Sequence, residues 1–212
     1  MTPRQALGAG AFAALAAVVV AVVATVPMQD YTVHILVQTA TFSIAVFGIS
    51  VVLGLCGQIN LSQAAFFGFG AYAVGLGTAA LHLNFWVAFA MGLVIAVAMG
   101  AVLGMATLRL GGHYLAMVTI SFQQIVTLVM VNWIPVTRGP DGVGGIGRPA
   151  LFQTSQSFLA LCVLVTAVLG YAVWRMPETR LGRAMRAVRD NELAAGVTGV
   201  NVYRVKVAAF AL

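Results

Sequence analysis

Residues 175–206 read RMPETRLGRAMRAVRDNELAAGVTGVNVYRVK and form the one strongly hydrophilic stretch of a 212-residue chain. The stretch holds seven of the eleven basic residues and three of the five acidic ones, and apolar runs lie on both sides of it. A charge at the centre of a bilayer costs about 2.5–3.5 kcal/mol, so ten charges cannot be inserted there. The sequence therefore predicts a polar loop between two membrane spans.

The spacing within this loop predicts two short helices that lie parallel to the membrane surface. Thr179 is suited to cap the first helix, since its hydroxyl can accept a bond from a backbone N–H. The apolar residues that recur at helical spacing in this helix are Leu181, Met185 and Val188. Asp190 and Asn191 offer a second N-cap, and Gly199 suits a left-handed stop after about two further turns.

The composition of the whole chain is that of a polytopic membrane protein, with 61% hydrophobic and 8% charged residues. We expect an all-α transmembrane helix bundle, a single domain over residues 1–212 with about six complete spans and the start of a seventh. The predicted spans are 7–26, 33–53, 54–81, 85–108, 114–134, 158–174 and 205–212. Eight residues cover only about 12 Å of a roughly 30 Å core, which predicts a chain that is incomplete at its C-terminus.

The positions of the basic residues predict the orientation. If the spans alternate from a cytoplasmic N-terminus, Arg4, Arg109 and the seven basic residues of the loop lie inside, while Arg138 and Arg148 lie outside. This nine-to-two split follows the positive-inside rule and accounts for the net charge of +6 without a nucleic-acid partner. The histidines and cysteines form no ligand pattern, and the glycines of 142–147 lack the Lys-Ser/Thr end of a phosphate loop. We expect neither a metal nor a bound nucleotide on this chain.

Residues 54–81, GLCGQINLSQAAFFGFGAYAVGLGTAAL, are the least regular of the predicted spans. The polar residues that stand between its apolar runs are Gln58, Asn60, Ser62 and Gln63. Freed backbone and amide groups are tolerated at membrane depth only inside protein or beside water, so we predict a broken helix that faces the bundle interior and lines the pathway. Gln124 and Asn132, eight residues apart in 114–134, either line the pathway too or bond to a neighbouring helix.

Both stretches resemble the permease subunits of ABC importers, and specifically the branched-chain amino acid (high-affinity leucine/isoleucine/valine) permease family. The loop is similar to the family's coupling-loop signature at Glu192, Ala194, Ala195 and Gly199, with Leu193 inserted. The residues of the other stretch that match the family pattern are Gly57, Gln58, Leu61, Ala64, Ala65, Phe66, Phe67, Gly68, Gly70, Ala71 and Tyr72.

The resemblance implies a permease of the bacterial inner membrane whose 175–206 loop docks on cytoplasmic ATPase subunits. The residues implied to couple the two proteins are Arg183, Arg186, Asp190, Glu192, Ala194, Ala195 and Gly199. ATP and Mg²⁺ would be bound by the ATPase, so this chain would carry no cofactor and would not itself be an enzyme. A second permease subunit, as a heterodimer, and a periplasmic substrate-binding protein are the other implied partners.

Three alternatives remain at this point. A urea or short-amide permease resembles the same pattern, and a basic loop that only binds anionic membrane lipid would carry the same charges. A membrane-embedded enzyme or an ion-coupled carrier would use ionisable groups at membrane depth. The first six predicted spans contain no Asp, Glu, Lys or Arg, which disfavours that last class.

Overall fold

The computed structural model describes residues 21, 29–106, 112–147, 149 and 152–212. All regular structure among these residues is helical, which confirms the all-α prediction. The α-helices are α1 (Asp30–Ile49), α2 (Gln63–Ala79), α3 (Phe85–Ala106), α4 (Gly112–Asn132), α5 (Ile134–Thr137), α6 (Ser155–Arg175), α7 (Arg180–Asp190), α8 (Glu192–Val197) and α9 (Val202–Ala211). A π-helix (Ser50–Leu55) continues α1, and 3-10 turns span Gly139–Asp141 and Met176–Glu178.

Four helices in the described ranges are long and apolar enough to cross a membrane: Asp30–Leu55, Phe85–Ala106, His113–Asn132 and Ser155–Glu178. They coincide with the spans predicted at 33–53, 85–108, 114–134 and 158–174. The first predicted span, 7–26, lies outside the described residues except for Ala21. Helix α2 has 17 residues and follows a break in the predicted 54–81 span.

The chain divides into two compact units, one of residues 1–47 and 150–176 and the other of 48–149 and 177–212. In the first unit α1 packs on α6 around the buried pair Val33 and Leu159. The Thr166 hydroxyl lies 3.3 Å from the Ala40 carbonyl oxygen, to which it donates. The prediction of a single domain stays a prediction, and the division at 176–177 falls at the start of the hydrophilic stretch.

In the second unit the helices approach one another through small residues. A Cβ atom on Gly77 of α2 would lie 2.7 Å from the Cβ of Ala88 on α3. A Cβ on Gly100 of α3 would lie 2.3 Å from the carbonyl oxygen of Phe210 on α9. Backbones this close gain dispersion contacts where lipid supplies no hydrophobic drive for association. The packing holds α9, and with it the end of the 175–206 stretch, against the membrane helices.

Candidate functional site

The break predicted in the 54–81 stretch lies at residues 57–62, between the π-helix and α2. Gly57 has a φ of +69°, a left-handed conformation that favours glycine. Its N–H donates to the Leu53 carbonyl at 3.1 Å, and the Gln58 N–H donates to the Val52 carbonyl at 3.1 Å. These bonds resemble the glycine cap that ends many α-helices. Because the preceding turn is a wider π-turn, each acceptor lies one residue earlier in the chain than it would after an α-helix.

Three of the four polar residues at the break bond within the protein. Gln58, Asn60 and Ser62 are buried, and Gln63 is half-buried. The Asn60 Oδ1 atom accepts from both the Ser62 N–H, at 2.9 Å, and the Ser62 hydroxyl, at 2.6 Å. The Leu61 N–H donates to the Thr119 hydroxyl of α4 at 3.2 Å. Freed backbone groups at membrane depth require partners of this kind.

Gln124 and Asn132, the two amides proposed for α4, lie on its exposed surface. The Asn132 Nδ2 atom donates to the Leu128 carbonyl of its own helix at 2.8 Å. These two residues therefore differ from the buried polar residues of the break, and their role in lining a pathway stays a prediction.

Helix α7 forms as its spacing predicts. The Thr179 hydroxyl accepts from the Gly182 N–H at 3.0 Å, while Met185 and Val188 are buried. Arg183 and Arg186 are exposed, and their guanidinium groups donate to the carbonyls of the preceding turn, at Glu178 and Pro177. Carbonyls at the end of a helical segment lack partners of their own, so these two arginines stabilise the entry into α7.

Helix α8 is capped by a side chain at its N-terminus and by a left-handed glycine at its C-terminus. The Asn191 Oδ1 atom accepts from the Ala194 N–H at 3.0 Å, so Asn191 is the N-cap and the exposed Asp190 is the last residue of α7. Gly199 has a φ of +87°, and the following Val200 N–H reaches back to the Ala195 carbonyl at 3.0 Å. This is a Schellman cap, the left-handed stop that the sequence predicts.

The two faces of α8 differ sharply. Ala195 is 3% exposed and packs on its own chain, whereas Ala194 is exposed. Leu193 and Val197 are 84% and 91% exposed and lie one turn apart on the same helix. In the sequence Leu193 stands out only as an insertion in the signature, although the i, i+4 spacing of two large apolar side chains is a visible signal.

Glu192, at the start of α8, faces a buried lysine. The Lys206 Nζ atom of α9 lies 2.7 Å from Glu192 Oε1 and 2.9 Å from Oε2, and its side chain is only 6% exposed. The Gln58 Nε2 atom lies 3.5 Å from Glu192 Oε1, at the long end of hydrogen bonding. In the sequence, Lys206 is only one of the basic residues of the loop, and no local pattern predicts it as the partner of Glu192.

A second contact joins the same elements. The Arg189 guanidinium donates to the Gly54 carbonyl, and the Arg189 side chain passes over Gly57. A Cβ on Gly57 would lie 2.9 Å from Arg189 Cγ. The structure thus brings together residues from the break, from the end of α7, from the start of α8 and from α9. We call Gly57, Gln58, Arg189, Glu192 and Lys206 the junction.

Cys56 lies beside the junction and is fully buried, as expected for a small apolar side chain. Burial raises the pKa of its thiol to about 11, while nearby Lys206 lowers it and Glu192 raises it. Among the described residues no three His, Cys, Asp or Glu side chains are placed to hold a metal ion.

The four long apolar helices, the break at residues 57–62 and the charged two-helix loop are the features of a polytopic helical membrane protein. The chain belongs to the family described as branched-chain amino acid transport system / permease component, whose model matches residues 31–212.

Curated relatives are similar over most of this chain. The high-affinity branched-chain amino acid transport system permease protein LivM of Escherichia coli is 32% identical over 85% of this chain and 49% of its own length. Its Salmonella typhimurium counterpart is 31% identical over 93% and 53%. The ribose import permease protein RbsC of Escherichia coli is 31% identical over 92% and 62%. The chain therefore spans about half the length of the LivM relatives, and no solved structure matches it.

Proposed function

We propose that this chain is part of a permease subunit of an ATP-driven importer, and that it carries branched-chain amino acids or chemically similar small solutes. Family membership and the LivM relatives support the substrate class. The ribose permease relative makes ribose the natural competing solute in a transport assay. The protein lies in the bacterial inner membrane with its N-terminus and the 175–206 loop in the cytoplasm.

The observation that carries this proposal is the exposed edge of α8. Leu193 and Val197 lie in a loop too charged to cross the bilayer, so these two apolar side chains lie outside its hydrocarbon core. Burying one such side chain gains about 1.5–3 kcal/mol. A short rigid helix with apolar anchors one turn apart suits the helix-in-groove mode of recognition. A groove on a cytoplasmic ATPase subunit is the partner we assign to it.

The remaining coupling residues support this docking in different ways. Ala194 is exposed and leaves room for a close approach, Ala195 packs on the inner side of α8, and the exposed Gly199 ends the helix in its left-handed cap. Arg183 and Arg186 hold the entry to α7, and the exposed Asp190 lies at its end. ATP and Mg²⁺ are bound by the ATPase, and this chain carries no cofactor.

The other partners follow from the same function. A second permease subunit completes the pathway as a heterodimer, a periplasmic binding protein delivers the solute, and anionic lipid lies against the exposed arginines of the loop. No nucleic acid is involved.

Co-purification tests the docking. We expect Leu193→Ser together with Val197→Ser to abolish recovery of the ATPase with the permease expressed from its intact operon, because the apolar anchors are lost. Leu81→Ser is the matched control, since Leu81 is also a well-exposed leucine, at 61%, but lies between α2 and α3. Unchanged recovery with the double variant would overturn the docking proposal.

Uptake tests the substrate. Proteoliposomes that hold the wild-type complex and its binding protein should accumulate radiolabelled leucine in the presence of ATP, and excess unlabelled isoleucine should compete. Uptake of labelled ribose in place of leucine would contradict the substrate class.

A further inference from the structure

We propose that Gln58, Glu192 and Lys206 form a positioning contact that passes the movement of α8 to the break at residues 57–62. The inference rests on the proposed function, because it assigns the route by which an ATPase docked on α8 moves the membrane helices. Glu192 then acts inside the chain and not on the partner's surface.

The Glu192–Lys206 pair holds α8 to α9. Lys206 is almost fully buried, and a buried ammonium without a counter-charge is strongly unfavourable. Its Nζ atom contacts both carboxylate oxygens, so the carboxylate of the partly exposed Glu192 side chain faces α9. The start of α8 therefore follows α9, and α9 in turn packs on α3.

Gln58 approaches the same carboxylate, because its Nε2 atom points to Glu192 Oε1, the oxygen that lies 2.7 Å from Lys206 Nζ. Gln58 is the first residue after left-handed Gly57, and its side chain is buried although its amide is polar. At 3.5 Å, its Nε2 atom is within reach of Glu192 but not tightly bonded. A shift of less than an ångström at α8 closes or opens this bond, and the bond joins α8 to the residue at which the non-helical segment begins.

Arg189 provides a second attachment on the other side of Gly57. Its guanidinium binds the Gly54 carbonyl at the end of the π-helix, and its side-chain stem packs on the Gly57 backbone. The two-helix loop thus contacts the chain on both sides of Gly57, at Gly54 through Arg189 and at Gln58 through Glu192. Beyond Gln58, the bonds of Asn60 to Ser62 and of Leu61 to Thr119 connect the segment to α2 and α4.

Exchanging the amide and the carboxylate between residues 58 and 192 tests the contact between them. Gln58→Glu places a second carboxylate beside Glu192, and we expect the solute transported per ATP hydrolysed to fall about tenfold, as for loss of a hydrogen bond to a charged group. Adding Glu192→Gln returns the site to one carboxylate and one amide, and it should raise the ratio well above that of Gln58→Glu but not to wild type, because Lys206 loses its direct partner. A purely structural defect at residue 58 would not be rescued by a change at residue 192.

The readouts are leucine uptake, ATP hydrolysis and recovery of the ATPase, all on the complex in proteoliposomes. Gln29→Glu is the matched control for the added carboxylate, because Gln29 is exposed just before α1 and lies outside the junction, and it should leave the ratio unchanged. If Gln58→Glu fails to assemble, Gln58→Asn keeps the amide but withdraws it by one methylene and should lower the ratio.

A wild-type ratio in Gln58→Glu or Gln58→Asn, or an exchange variant as defective as Gln58→Glu, would overturn the inference. Failure of the proposed function is distinguishable, since the wild-type chain would then recover no ATPase and take up no leucine.

Discussion

At the scale of single residues, Gly57 is a point of close contact between the break and Arg189 of α7. An L side chain in its left-handed conformation is strained by about 1 kcal/mol, and the Cβ would lie 2.9 Å from Arg189 Cγ. We expect Gly57→Ala to lower the melting temperature of the purified protein by roughly 2–4 °C or more. Gly54→Ala is the control, since nothing lies within 4 Å of its added Cβ. Equal melting temperatures for the two variants would contradict the close contact at Gly57.

Cys56 reports on the interior of the junction. Only the thiolate reacts with maleimides, and burial raises the pKa of this thiol to about 11 from an ordinary 9.0. In a Cys162→Ser background, we expect labelling of Cys56 to be slow near neutral pH and still to rise steeply between pH 9 and pH 10. Labelling of a cysteine introduced by Tyr203→Cys, at an exposed site on α9, should instead be close to its plateau by about pH 10, one unit above the ordinary pKa of a thiol. Labelling of Cys56 that levels off at the same pH as this control would show that the thiol is not buried.

At the scale of elements, the sequence predicts what is local and misses what depends on packing. Thr179, Asn191 and Gly199 cap α7 and α8 as expected, because capping depends on side chains and conformations within a few residues. That Ala195 faces inward and Leu193 faces outward depends on how a two-turn helix is seated on α7 and α9. The salt bridge from Glu192 to Lys206 crosses fourteen residues and has no local signature.

The sequence pattern does not predict the π-helix at Ser50–Leu55 either. Its residues are apolar and read equally well as the continuation of α1. The glutamine, asparagine and serine residues that follow did predict a break, since polar side chains between apolar runs are costly unless the protein satisfies them.

At the scale of the whole molecule, apolar length alone predicted the four described spans, because bilayer thickness fixes how many residues a helix needs. The helices of the second unit also come into close contact at Gly77 and Gly100. The coupling role of the 175–206 loop, the pathway role of the polar break and the heterodimer stay predictions. The unit formed by residues 48–149 and 177–212 contains the loop and the break together, so a chain of contacts between them exists inside one compact body.

Site-specific photo-crosslinking from α8 tests the central claim most directly. A benzoyl-phenylalanine placed at Leu193 in the assembled complex should crosslink to the ATPase subunit in native membranes, and the same probe at Leu81 should not. Both sites start from well-exposed leucines, so accessibility does not explain a difference between them. Crosslinks from Leu193 to lipid alone, with none to an ATPase, would contradict docking and favour a basic loop that only binds the membrane surface.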